Sequence, residues 1–373
     1  MALEHKKKAA GQGDEPALTR RLESVRAPQE VTVGAKFDWP KVTPCRMLPR
    51  EEVKRAIELN GNCRIPQVFS PAEGCFRFFD PSMYDFFRAW PSDFEYLPVE
   101  LDPRRFRVTL DGEEVGLRGS SFGRHILEDW QQVDEVLQLG LPPLTEEWKN
   151  SLRIEIAKTP GAYHAIFHLA FLFEVLYGLR GMEKFFLDLH DHRAEVENLL
   201  DRLVEYDCQM IQAYGEVGVD GVLAGDDWGS QTSLLIDPRT WRELFKPRYK
   251  VLVEACHRAG LHAMLHSDGN LDAIFPDLVE IGIDVYHPLQ PGAMDVDRWL
   301  SEYKGELCFY TGVDVQRVLP FVSPREVKDS VRRAVDKFSS ARGGFVLGPT
   351  NGITADIPAA NLLALHEVLL ELR

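Results

Sequence analysis

The sequence lacks what a membrane protein needs. Nowhere does it hold the roughly 18 consecutive apolar residues of a spanning helix. Its opening, MALEHKKKAAGQGDEPALTRRLESV, has no apolar run, so neither a signal peptide nor an anchor is expected there. Cysteine is sparse: six residues, at 45, 63, 75, 208, 256 and 308, form no CxxC pair and no disulfide-like spacing. That usage fits a reducing compartment and a cytoplasmic protein. Phosphate-binding loops are missing, because neither GxGxxG nor GxxxxGK[ST] follows any apolar run. There is no GxSxG elbow, and no cysteine ends a predicted strand, which argues against a serine or thiol nucleophile. Positive charge is in deficit. Against 58 acidic residues stand 43 Lys and Arg, a net charge of −15 that repels nucleic acid and anionic lipid.

What the chain does have is hydrophobic substance and rhythm. Apolar residues make up 45% of its 373 positions, enough for a large core. From about residue 160 a short apolar run repeatedly ends in polar residues and gives way to an amphipathic helix. The runs are YHAIFHL (163–169), DGVLAG (220–225), LHAMLH (261–266), DVYH (284–287), ELCFYTG (306–312) and GGFVLG (343–348). Helices are expected near 192–216, from Pro238 to about 258, up to about 281, near 295–303, after Ser323-Pro324-Arg325-Glu326, and after Pro358. Six strand-then-helix units in series demand right-handed crossovers and a parallel sheet. The regular spacing, with polar residues after every strand, predicts an α/β fold of the closed (β/α)8 TIM-barrel type.

The front of the chain is less regular. MLPREEVKRAIELN (47–60) predicts a helix and RIPQVF (64–69) a first strand. RFRVTLDGEEVGLRG (105–119), with Asp111-Gly112 between alternating residues, predicts a β-hairpin insertion near the barrel mouth. The expected organisation is a mobile tail over 1–28 and one barrel domain over 29–373.

In such a barrel the side chains just past the strand C-termini converge on one cavity. They are Asp226, Asp227 and Trp228 with the nearby Gln231; His266 and Asp268; His287 and Gln290; Asp314 and Gln316; Thr350 and Asn351. Each has a plainer reading. Asp226, Asp227 and Asp314 could cap helices, and Thr350 and Asn351 precede a glycine as turn residues do. His287 and Gln290, in HPLQP, could simply shape a loop. Yet two adjacent acids followed by Trp228 exceed what a cap needs. His266 and Asp268, two residues apart, point to the same side by strand alternation. They are the candidate metal ligands, and zinc would need a third, which His287 or Asp227 could supply. Glu174, inside the apolar stretch FLFEVLYGLRG, is either on a wet helix face or buried with a partner.

At these residues the chain resembles the uroporphyrinogen decarboxylase superfamily, which also contains the corrinoid-linked methyltransferases. The resemblance runs from about residue 47 to the C-terminus. It rests on MLPREEVKRAIELNGNCRIP, LRGMEKFFLDL, GVDGVLAGDDWGSQTSLLIDPRTWRELFKPRYK, LHSDGNLDAIFPDLVEIGIDVYHPLQP, TGVDVQRVLP and GGFVLGPTNGITADIP. It implies a (β/α)8 barrel, often dimeric, with its site at the C-terminal mouth. Two departures matter. Methyltransferase members carry a zinc motif of His-x-Cys with a distant second Cys. Here the first part reads His266-Ser267-Asp268, and Asn351 stands at the second position. Decarboxylases carry an arginine-rich stretch near the first strand and a catalytic Asp in a Phe-Asp-x-Arg context. Here QVFSPAEGCFR (67–77) keeps only Arg77, and Phe-Asp-x-Arg does not occur.

Three functions follow as expectations. The first is transfer of a methyl group between a small methylated or methoxylated substrate and a corrinoid on a separate protein. Asp268 or His266 would then protonate the leaving oxygen or hold zinc, and Asp226, Asp227 and Gln290 would position the substrate. The second is decarboxylation of a porphyrinogen or smaller acid, with no cofactor and a basic pocket lined by Arg64, Arg77 or Arg118. A mouth lined by Asp226, Asp227, Asp268 and Asp314 would repel such a polycarboxylate. The third is a non-catalytic ligand-binding barrel.

Overall fold

The computed structural model describes residues 45–61, 63–69, 86, 89–90, 92–103, 107–110, 113–116, 125–168, 171–354 and 356–373. All belong to one compact unit, Asp38–Arg373. The expected tail over 1–28 lies outside the described residues.

The elements run α1 (Arg50–Ile57), β1 (Phe94–Tyr96), β2 (Arg107–Leu110), β3 (Glu113–Gly116), α2 (Val133–Gly140) and α3 (Glu146–Ile156). Then come β4 (Tyr163–His168), α4 (Phe173–Arg180), α5 (Met182–Asp191), α6 (Arg193–Val217), β5 (Gly221–Gly225), α7 (Pro238–Leu244) and α8 (Lys246–Arg258). The chain ends with β6 (His262–His266), α9 (Phe275–Glu280), β7 (Val285–His287), α10 (Val296–Tyr303), β8 (Cys308–Val313), α11 (Pro324–Phe338), β9 (Phe345–Pro349) and α12 (Ala359–Glu371). All six strands expected after residue 160 are present. β2 and β3 pair antiparallel, with Leu110 opposite Glu113.

Local chemistry explains the boundaries. α6 stops at Gly218, whose φ of 95° is the left-handed conformation that ends helices at glycine. α11 starts at a capping box in which Ser323 and Glu326 satisfy each other's amides. The single helix expected from Pro238 to 258 is instead two, interrupted at Phe245. Pro247 has no N–H to donate, and its ring crowds the carbonyl of the preceding turn, so it belongs in the first turn of α8.

Seven strands form one wholly parallel sheet in the order β1-β4-β5-β6-β7-β8-β9. β1 carried no clear sequence signature. The expected first strand is only a two-residue bridge. Gln67 pairs parallel with Leu347 of β9, and Val68 pairs with Ser92, just before β1. The backbone bonds Val68 N to Leu347 O (2.9 Å) and Asp93 N to Gln67 O (2.8 Å) therefore link the two edges of the sheet.

Side chains alternate between two cores, as the strand period of two requires. Leu223, Met264, Val285, Tyr310 and Val346 join Phe94 and Tyr163 in an inner cluster, while Val222, Ala263, Leu265, Tyr286, Phe309 and Leu347 pack outward under the helices. The rings of Phe94 on β1 and Tyr310 on β8 are 5.9 Å apart, so the sheet curls until distant strands touch. Alternation beyond Met264 and Val285 puts His266 and His287 on the inner side, at the C-terminal rim.

Candidate functional site at the strand C-termini

Three of the expected residues form a cluster. Ligand atoms of Asp227, His266 and Asp268 all lie within 4.8 Å of one another. His266 Nε2 is 3.8 Å from Asp227 Oδ1. Asp227 Oδ1 also accepts the Asp268 amide at 2.8 Å, which ties the β5 and β6 loops together. Asn351, beyond β9, donates its side-chain amide to Asp268 Oδ2 at 2.6 Å. Burial raises the Asp268 pKa, and the charge of Asp227 adds to the rise, while His266 and Asn351 oppose it.

His266 and His287 are joined through their Nδ1 atoms at 2.7 Å. His287 is buried, and its Nε2 lies 3.0 Å from the Pro349 carbonyl. Burial, followed by the neighbouring His266, holds its pKa well below the usual range. Both ring nitrogens of His287 are engaged by protein atoms, which leaves it no free ring nitrogen for a metal or a substrate. Of the two candidates for a third ligand, Asp227 is the one whose oxygen joins His266 and Asp268.

Asp226 also departs from expectation. It is completely buried. Its carboxylate accepts the amides of Leu172, Phe173 and Glu174 at 3.1, 2.9 and 2.8 Å, and the hydroxyl of Tyr249. It therefore caps α4, not the helix that follows it in sequence. Burial pushes its pKa up to about 6 against the pull of Tyr249 and those amides. Through this cap Asp226 fixes Glu174, the second residue of α4. Burial, then the charges of Asp226 and Asp227, raise the Glu174 pKa to about 8. The ambiguity over Glu174 is thus resolved toward a largely buried acid at the site.

The remaining candidates frame the rim. Trp228 is fully buried, stacked on Phe173 with ring centroids 4.1 Å apart. Gln290 Oε1 accepts the Gly269 amide at 3.1 Å, and its Nε2 donates to Gln316 Oε1 at 3.0 Å, so both amides brace the β6 loop. Asp314 accepts the amides of Gln316 and Arg317, each at 2.8 Å, which is the plainer capping role. Thr350 Oγ1 accepts the Val315 amide. Gln231 is exposed on the loop after β5. Sequence reading missed Tyr249, a helix residue with no local signal. It also missed Tyr96 and Phe167, half-buried aromatics on the inner face. Phe167 meets His266 edge-on at 6.0 Å.

Fold and site define a parallel α/β protein of the TIM-barrel-like kind, with carboxylates and imidazole gathered at the strand C-termini. Residues 161–372 match the uroporphyrinogen decarboxylase (URO-D) family, and the chain belongs to that family. No curated protein matches it. Among solved structures it is similar to a methyltransferase from Methanosarcina mazei, at 17% identity and TM-score 0.62, over 87% of this chain and 99% of that one. At that identity the likeness concerns the fold alone. A D-psicose 3-epimerase from Clostridium cellulolyticum H10 is more distant, at 10% identity and TM-score 0.38, over 68% of this chain and 96% of that one.

Proposed function

We propose that this URO-D family member is a metal-dependent methyltransferase that removes a methyl group from an oxygen of a small methoxylated substrate. Its scaffold is read as a (β/α)8 barrel whose remaining strand is reduced to the Gln67–Val68 bridge. The observation that carries the reading is the gathering of Asp227, His266 and Asp268 within 4.8 Å at the rim. Two carboxylates and one imidazole suit a divalent cation such as Mn²⁺, Fe²⁺ or Zn²⁺, while the missing cysteines remove the thiolate character of the related zinc motif. A cation held there would act as a Lewis acid toward a substrate oxygen.

The protein's own groups supply the rest. Glu174, whose carboxyl is pushed up to about 8 first by burial, would be the proton source. It would give that proton to the leaving oxygen, which keeps the electron pair of the broken C–O bond. Tyr96 and Phe167 offer an apolar wall beside His266. The family resemblance makes a reduced corrinoid on a separate protein the preferred methyl acceptor.

Polycarboxylate decarboxylation has less support. Arg64 is paired with Glu52 of α1. α1 lies at the opposite end of the strands, where Arg50 bonds Gly161 before β4 and Asp220 before β5. Arg77 and Arg118 lie outside the described residues. The rim itself carries Asp227, Asp268 and Glu174.

The test is methyl transfer to cob(I)alamin from a panel of methoxylated aromatics and simple methylated compounds. Enzyme stripped by chelator should be inactive and regain activity with Mn²⁺ or Zn²⁺. His266→Gln and Asp268→Asn should stay inactive after reloading. No methylcobalamin from any donor with metal present would refute the proposal.

A further inference from the structure

We infer that His287 is a positioning residue that locks His266 in its Nδ1-protonated tautomer, so that the Nε2 lone pair of His266 faces Asp227 and Asp268. The argument follows the protons. A carbonyl only accepts hydrogen bonds, so at 3.0 Å from the Pro349 oxygen His287 Nε2 must carry a hydrogen. His287 is 7% exposed, and its hydrogen-bond partners among the described residues are the His266 ring and the Pro349 carbonyl, with no carboxylate to hold a charge, so the ring is neutral. A neutral ring protonated at Nε2 has a lone pair on Nδ1. Across the 2.7 Å contact His266 Nδ1 must then be the donor. With the single proton of a neutral ring placed on Nδ1, the lone pair of His266 falls on Nε2, 3.8 Å from an Asp227 oxygen. A lone pair there faces the Asp227 and Asp268 carboxylates, the orientation in which it can meet a cation held between them.

Neighbouring rings keep the relay in register. Tyr310 lies against His287 with centroids 4.1 Å apart, and Phe167 meets His266 from the other side. The end of β9 is the common support: its Pro349 carbonyl orients His287, and Asn351 holds Asp268 two residues later. The tautomer stands on the hydrogen bonds alone. Only the cation that meets the lone pair rests on the proposed metal-dependent function.

Two measurements on the full-length protein separate these claims. The first is a two-bond ¹⁵N–¹H histidine spectrum of metal-free protein at about pH 8.5, two units above the ordinary histidine pKa. The His266 signals are identified by their loss in His266→Gln. The wild type should show His266 protonated at Nδ1. His287→Phe should shift it toward Nε2 protonation, and His287→Asn, which keeps an acceptor near the Nδ1 position, should restore the pattern. The second is Mn²⁺ affinity by electron paramagnetic resonance, where His287→Phe should weaken binding on the order of 10- to 100-fold and His287→Asn should recover most of it. An Nε2-protonated His266 in the wild type overturns the inference whether or not any variant folds. So does a His287→Phe protein with an unchanged tautomer. If the wild type shows the expected tautomer but binds no Mn²⁺, the relay stands and the metal reading of the site fails.

Discussion

Asn351 donates to Asp268 across 2.6 Å, joining the ends of β9 and β6. Its own Oδ1 is engaged by the Gly352 amide at 2.7 Å. The residue therefore braces Asp268, a proposed ligand. Replacing it by alanine should leave the fold intact and weaken divalent-cation binding about 10-fold, as loss of an outer hydrogen bond to a ligand does. Mn²⁺ titration of Asn351→Ala against wild type checks this. Equal affinities would mean that Asp268 is held elsewhere.

Glu174 sets a pH dependence. Its pKa rises from 4.5 unfolded to about 8 folded. The folded state thus keeps a proton that the unfolded chain releases. Its contribution to stability is full below about 4.5 and is lost as pH rises through about 8. Donor activity in the metal-loaded enzyme should fall at an upper limb that lies below this pH, because a cation on Asp227 offsets a charge that helps raise the Glu174 pKa. Glu174→Gln should lower the methyl-transfer rate by about 10²- to 10⁴-fold and abolish that limb. It should also be more stable than wild type above about pH 8 in urea unfolding. A wild-type rate that stays flat to pH 10 would remove Glu174 as donor.

The sequence made the C-terminal half legible because each strand there is buried on both faces. GVLAG, followed by Asp226, and HAMLH, ending in His266, read as apolar runs that give way to polar residues. β1 was illegible because its three residues, Phe94–Tyr96, are too short for a period to show. At the site, His266, Asp268 and Asp227 could be found because position on a strand end is a sequence property. The role of Asp226 could not. It caps a helix 52 residues earlier in the chain, a long-range contact that no local pattern encodes. His287 was legible as a strand-end residue, but its function depends on the Pro349 carbonyl, an acceptor every residue possesses.

Asp226 gives the largest expected stability effect. Alanine there would leave the amides of Leu172, Phe173 and Glu174 and the Tyr249 hydroxyl without their acceptor in a fully buried place. At about 1–3 kcal/mol for a buried orphaned group, with some amides regaining water, a loss of about 3 kcal/mol is expected. Urea unfolding measures it. Asp226→Asn should lose less, because the amide oxygen still accepts from part of the helix end. A change below about 1 kcal/mol in Asp226→Ala would mean that α4 keeps its start without this cap.

Gly269 tests whether the rim loops must interlock for the cluster to form. It adopts φ of 87°, and an added Cβ would lie 2.3 Å from the Gly229 carbonyl oxygen and 2.6 Å from that of Ser230. Both obstacles are backbone, so no side-chain rotation relieves them. The loop after β6 would have to lift off the loop after β5, and the 2.8 Å bond from the Asp268 amide to Asp227 lies next to that contact. Gly269→Ala should therefore cost about 2 kcal/mol or more in unfolding free energy, combining the backbone strain with the clash. It should also weaken Mn²⁺ binding further than stability alone explains, because it separates two ligands while leaving all three in the chain. Metal affinity measured well below the unfolding transition distinguishes the two effects. If Gly269→Ala is destabilised yet binds Mn²⁺ as wild type does, then Asp227 and Asp268 find each other without the loop contact.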